Sequence, residues 1–243
     1  MSVDQGYARE LAEIYDAIYL GRGKDYRAEV RVVLDLARDR LDRTPNSLLD
    51  VACGTGAHLR HFTAEVSHVE GLELSPDMRQ IAAERLPETT VHGGDMREFV
   101  LHDRFDVLTC MFSSIGYLRD QRELDATLRC FAAHLTGGGV VVVEPWYFPE
   151  SFLSGYVSSD VVRAGEQTIA RMSHSVLDGT ATLMRIHYVV GHPEQGIRHF
   201  TGEHRITLFD RSQYERAFVA AGLTVEYVPG GPSGRGLFVG TAA

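Results

Sequence analysis

The run LLDVACGTGAHLRHF, Leu48 to Phe62, constrains the fold more than any other part of the chain. An apolar strand, Leu48–Val51, enters a turn containing Gly54 and Gly56. A helix-patterned segment follows, 57–65, with Leu59, Phe62 and Val66 on one face. Such a turn leaves backbone N–H groups unpaired at the carboxyl edge of a sheet, where open α/β sheets bind ligands. The alternation then repeats. Strands are expected at 68–74, 90–92 and 105–111, and helices at 77–86 and 122–135. Ser75 is placed to cap the first of these helices, with Pro76 at its first position. GGGVVVVEP is glycine punctuation followed by a buried strand. Two further helices, 8–20 and 26–41, precede the first strand. Unbroken apolar strands alternating with amphipathic helices specify an α/β fold with a doubly wound, mostly parallel sheet.

After Pro145 the rhythm changes to strand-like runs. Asp178-Gly179 is a dipeptide suited to a type I′ hairpin turn, and a further strand is expected near 197–208. Residues 146–208 therefore read as an antiparallel β insertion within a domain formed by 1–145 and 209–243. Asp210 caps a helix over 212–221 that Gly222 stops, and strands at 223–227 and 236–241 return to the sheet.

The chain has 243 residues and a formal net charge of −9. This balance argues against nucleic-acid and membrane-surface partners. Cys53, Cys110 and Cys130 form no CxxC pair, so no disulfide framework or zinc site follows, and reduced thiols fit a cytoplasmic protein. The eleven histidines show no metal-ligating spacing, so no metal is expected, and His58 and His61 read as helix-surface residues. No signal peptide is visible at the start.

The turn GTGAHL lacks the third glycine of the dinucleotide fingerprint, which weakens a dehydrogenase reading. Instead, acids stand at three successive strand ends: Asp50, Glu73 in GLELS, and Asp95 in GGDMRE. One alone reads as a solvated carboxylate. The ordered set suits a cationic nucleoside, with Glu73 on a ribose diol and Asp95, beside Met96, on an adenine amino group. The pattern resembles class I S-adenosylmethionine (SAM) methyltransferases. By that resemblance SAM is the cofactor and S-adenosylhomocysteine the product. The expected cofactor-binding set is Tyr15, Tyr26, Asp50, Ala52, Gly54, Gly56, Glu73, Leu74, Met78, Asp95, Met96 and Met111.

YLGRGKDY, GDMREF, MFSSIGYL, VVVVEPWYFPE, ARMSHSV, HRITLF and GGPSGRGLF together resemble the dTDP-aminosugar N,N-dimethyltransferases of antibiotic sugar biosynthesis. The resemblance runs from about Tyr7 to Phe238. It implies a dTDP-amino deoxysugar as substrate and two methylations of its amine. It places Tyr7 in an N-terminal helical lid, Ser114 and Tyr117 facing the sugar, and Glu144, Trp146 and Tyr147 near the acceptor, with Tyr7, Ser114, Tyr117 and Glu144 as the expected catalytic set, in which Tyr117 or Glu144 accepts a proton or stabilises the developing ammonium. Arg171 and Ser173, two apart on one strand face, and Ser233 and Arg235 in a glycine-rich loop are candidates for the diphosphate and thymidine end. Packing or solvent-facing roles compete at each position. A sugar hydroxyl or a small free amine is the alternative acceptor, and a non-catalytic SAM- or nucleotide-binding protein is the alternative of another class. The insertion hairpin offers an edge for a homodimer.

Overall fold

The computed structural model describes residues 5–243, with side chains from Leu11 onward. Five strands of one sheet run parallel: β1 (Ser47–Val51), β2 (His68–Glu73), β3 (Val91–Gly93), β4 (Phe105–Cys110) and β5 (Leu135–Val143). The hairpin β10 (Glu226–Val228) and β11 (Leu237–Thr241) adds antiparallel to β5, giving the order β10-β11-β5-β4-β1-β2-β3. The order reverses between β1 and β4. A crevice opens at that switch point, beside Asp50 and Met111.

Val140, Val141, Val142 and Val143 of β5 are fully buried, because helices cover both sheet faces. One face packs α5 (Gln121–Ala133) and α6 (Arg211–Ala220) through Leu124, Leu128, Phe131, Tyr214 and Phe218. The other packs α2 (Tyr26–Leu41) through Val30, Val33, Leu34 and Ala37. Two helix starts are capped as the sequence implies: Ser75 Oγ accepts from Met78 N before α4 (Pro76–Arg85), and Asp210 forms a capping box with Gln213 before α6.

A second sheet, β6-β7-β8-β9, is wholly antiparallel: β6 (Tyr156–Ala164), β7 (Gln167–Asp178), β8 (Ala181–His192) and β9 (Gly196–Thr207). On β7, Ile169, Arg171, Ser173 and Ser175 are buried while Met172 is exposed. One face therefore looks inward. Helix α1 (Gln5–Gly21) lies on it, with Leu11, Ile14 and Ile18 among Val162, Ile169, Ile186, Tyr188 and Phe200. Asp16, on the same helix, accepts from Thr55 Oγ1 at 2.7 Å and pairs with Arg85. Helix α1 is thus fastened to the antiparallel sheet, to the turn after β1 and to α4.

Four local expectations are corrected. The segment 57–65 is α-helical only over α3 (Leu59–Phe62), because its hydrogen bonds alternate between i−3 and i−4 acceptors. The hairpin at 178–181 has positive φ at Gly179 (60°) but not at Asp178 or Thr180, the type II′ pattern. Strand β6 was not anticipated; it is an edge strand whose alternation of Ser, Asp and Val carries a weak signal. The expected strand at 223–227 shifts to β10, leaving Leu223 in an isolated bridge to Ala242.

Gly71 of β2 sits beneath the glycine turn. A Cβ there would stand 2.8 Å from both Cys53 Sγ and Leu59 Cδ1. Gly71→Ala is expected to lower unfolding stability by about 1–3 kcal/mol, measured by denaturant titration, as overpacked cores do.

Candidate active site

Two pockets meet at the carboxyl edge of the parallel sheet. The smaller surrounds the end of β1 and is lined by Tyr15, Tyr26, Asp50, Ala52, Gly54, Met111 and Ser114, with Cys53, Thr55, Ala57, His58 and Phe112. Its floor is a tight turn in which Ala52, Gly54 and Gly56 have φ of 57°, 59° and 79°. A Cβ on Gly54 would meet nothing within 4 Å, so that glycine borders open space. A Cβ on Gly56 would stand 3.3 Å from Ala82, so that glycine admits close packing of α4.

Glu73 holds this turn. Its Oε2 accepts from Gly54 N at 2.8 Å and its Oε1 from Ser75 N at 2.7 Å, and burial raises its pKa. Leu74 beside it is 64% exposed, an apolar surface at the second strand end. Met78 packs toward α1, and Met96 packs against the core. Asp95 is engaged by Arg97 through Nε at 2.9 Å and a further contact of 2.5 Å, which holds its pKa below the ordinary value. Gly56, Glu73, Leu74, Met78, Asp95 and Met96 do not line the smaller pocket.

Asp50 is buried. Its Oδ1 accepts from Thr109 Oγ1 at 2.7 Å, its Oδ2 has no partner, and burial pushes its pKa up to about 6. The Tyr26 hydroxyl is also buried and unpartnered. An unspent carboxylate oxygen, a free phenol and a glycine turn open to the pocket fit SAM, whose charge is positive at sulfur and at the amino group. Asp50, Tyr26 and Gly54 are the residues that would hold it.

The larger cavity, about 810 Å³, lies between this edge and the inward face of the antiparallel sheet. It is lined by Ser114, Tyr117, Trp146, Tyr147, Arg171, Ser173, Ser233 and Arg235, so the structure brings these expected residues together. Tyr19, Arg22, Lys24, Phe112 and His204 line it as well and were not anticipated. Three buried donors are without partners: Trp146 Nε1, Arg171 Nε and Ser233 Oγ. Arg171 is 5% exposed, with Nη1 on Ser173 Oγ at 3.1 Å and 3.9 Å from Asp160. Unspent donors beside a buried guanidinium suit a ligand rich in acceptor oxygens.

Tyr15, Phe112 and Ser114 line both pockets. Between them the backbone is left-handed at Phe112 (φ 55°) and Ser113 (φ 63°). Glu144, fully buried, accepts from Phe112 N at 2.7 Å, and Ser113 Oγ donates to Pro145 O at 2.8 Å. Arg235 donates through Nε to Pro145 O at 3.3 Å and through Nη2 to Ser113 Oγ at 3.1 Å. Its guanidinium lies over the Trp146 and Tyr147 rings at 5.2 and 5.1 Å.

These contacts change two expectations. Glu144 lines neither pocket; its Oε2 anchors the turn, while its Oε1 is buried without a hydrogen-bond partner, 3.6 Å from Arg235 Nη2. Arg235 reaches the cavity but commits two of its nitrogens to the same turn. His58 is also corrected: it is buried, edge-on to Tyr26, and bonded to Glu29 at 2.7 Å, while Lys24 bonds the same carboxylate at 2.6 Å. Glu29 falls at a buried position of α2, and only that helix packing reveals the trio. Tyr7 falls outside the residues whose side chains are described.

The charge of Asp50 yields a prediction. The carboxylate is ionised above about pH 6 and neutral below, so SAM affinity should fall as the pH is lowered through that value. Asp50→Asn should bind SAM weakly and flatten this part of the profile in calorimetric titrations.

Residues 48–139 match the model of the methyltransferase domain family. Over 237 residues the chain is 56% identical to dTDP-3-amino-3,4,6-trideoxy-alpha-D-glucopyranose N,N-dimethyltransferase of Streptomyces venezuelae, covering 98% of this chain and 100% of the relative. The crystal structure of Streptomyces venezuelae DesVI superposes with a TM-score of 0.93 at 56% identity, covering 100% of both chains. The SAM-bound structure of CalS10, an amino pentose methyltransferase from Micromonospora echinaspora, superposes with a TM-score of 0.87 at 45% identity, covering 95% of this chain and 97% of that one. The glycine turn, the unspent Asp50 oxygen and the donor-lined cavity thus lie in a chain that belongs to the SAM-dependent dTDP-aminosugar N,N-dimethyltransferases.

Proposed function

We propose that this enzyme methylates the amino group of a dTDP-linked amino deoxysugar twice in succession, a step in antibiotic sugar biosynthesis that releases S-adenosylhomocysteine each time. The observation that carries the reading is the donor-lined cavity opening onto the cofactor pocket at Tyr15, Phe112 and Ser114. In this reading 1–145 and 209–243 form the SAM-binding unit, and the insertion 146–208 supplies the wall for the nucleotide sugar. Arg171 and Ser173 take the diphosphate, with Ser233 and the remaining Arg235 nitrogen beside it.

Bound SAM supplies a methyl group already activated on a sulfonium, so transfer forms the N–C bond as the S–C pair returns to sulfur. The protein's task is alignment, which can supply roughly 7–11 kcal/mol of a barrier. Ser114 and Phe112 hold the junction across which the amine and the methyl group approach. Tyr117 stands at the cavity wall and is 52% exposed, so an amine there can lose its proton to water. A hydroxyl acceptor needs a strong base. Among the described lining residues the imidazole is His204, whose pKa burial and the Arg171 charge lower to about 4, too weak for that task.

Purified protein incubated with SAM and a panel of dTDP-3-amino and dTDP-4-amino deoxysugars should add two methyl groups to one member, read by mass. SAM binding with no methylation of any member would redirect the reading to a hydroxyl or small-amine acceptor. Tyr117→Phe is expected to lower kcat by less than about tenfold, because no obligatory base is removed; a loss of about 10²–10⁴ would show one. Arg171→Ala should raise KM for the nucleotide sugar about tenfold or more while leaving the Kd for SAM unchanged, since a charge-assisted contact is lost only on the acceptor side.

A further inference from the structure

Tyr117 closes the 3₁₀ turn Ser114–Tyr117, and His204 stands on β9. Tyr117 Oη and His204 Nδ1 are 2.8 Å apart, although 87 positions separate them in the chain. The contact depends on a glycine. Gly116 lies so close to β9 that a Cβ would stand 2.5 Å from Ile206 Cγ2 and 3.2 Å from Trp146 Cβ. Ile206 and His204 share the inward face of β9, so pressing the turn onto this strand delivers the phenol to the imidazole. His204 lies opposite Met184 in the strand register, and the Arg171 guanidinium reaches Met184 Sδ at 3.8 Å. With burial and that cation beside it, the ring stays neutral and has one bare nitrogen.

We propose that His204 is a positioning residue for methyl transfer: its Nδ1 accepts the hydrogen bond from the Tyr117 hydroxyl, so that the phenolic oxygen turns its lone pairs into the cavity and holds an N–H of the acceptor amine. The proposal rests on the amine-methylation reading. Holding one N–H on a fixed oxygen stops rotation about the sugar C–N bond and directs the nitrogen lone pair at the methyl group. The primary amine and the monomethylamine both carry such an N–H. The neutral dimethylamine carries none, so the finished product loses this contact.

The test compares His204→Phe with His204→Asn, each with and without Tyr117→Phe, using the aminosugar that the wild-type enzyme methylates. His204→Phe should lower kcat for both methylations about fivefold, the scale of one hydrogen bond, with the Kd for SAM unchanged. His204→Asn, whose Oδ1 accepts where Nδ1 did, should recover most of that loss. In the Tyr117→Phe background, His204→Phe should cause no further loss. Full activity in His204→Phe, failure of Asn to rescue it, or losses that multiply in the double variant would overturn the proposal. A wild-type enzyme that binds SAM but methylates no aminosugar would instead overturn the underlying reading, and this proposal with it.

Discussion

The active centre depends on the bond from the Phe112 amide to the Glu144 carboxylate. Two consecutive non-glycine residues, Phe112 and Ser113, adopt left-handed backbone angles, a conformation that costs of order 1–3 kcal/mol at each and persists only when its surroundings impose it. Glu144 grips the first residue, and Pro145 and Arg235 grip the second. The strands that deliver these groups, β4 and β5, are neighbours in the sheet, with Cys110 directly opposite Val143. The strained turn is therefore built on a rigid platform. Phe112 faces both pockets from it.

Helix α1 supplies the other constraint. Its apolar face seats on the antiparallel sheet, while Asp16 ties it to the glycine-turn segment and to α4. Tyr15 and Tyr19 pack edge-on to Phe112 from this helix, with ring centroids 6.4 and 4.7 Å away. Lys24, just beyond it, lies 3.9 Å over the same ring. The helix thus ties the antiparallel sheet to the glycine turn and to α4 at the point where the pockets meet.

Much of the parallel sheet was legible in the sequence, because runs such as VVVV at 140–143 leave few alternatives to a strand buried on both faces. The glycine turn after β1 was legible for a similar reason: glycines at 54 and 56 and an acid at 50 are local signals. The structure makes Glu73 and Asp95 more than free carboxylates, since each is engaged by protein groups that the strand-end pattern does not reveal. Pairings across distant segments were not legible. His58 looks like a surface residue until α2 brings Glu29 to it, and His204 acquires a partner only when Gly116 lets the turn approach β9. Glu144 sits at a strand end, where a motif suggests chemistry, yet one of its oxygens is committed to the Phe112 amide and the other lies buried 3.6 Å from Arg235. Sequence spacing locates such a residue but does not say which way it faces.

The central claim is that donor and acceptor occupy adjoining pockets at the same time, separated by the Phe112–Ser113 turn. Calorimetric titration of the protein saturated with S-adenosylhomocysteine by dTDP tests it most directly. The account predicts that dTDP binds to the saturated protein with one site per chain, with an affinity close to that for the free protein. Displacement of S-adenosylhomocysteine by dTDP would contradict it, because the two ligands would then be competing for one pocket.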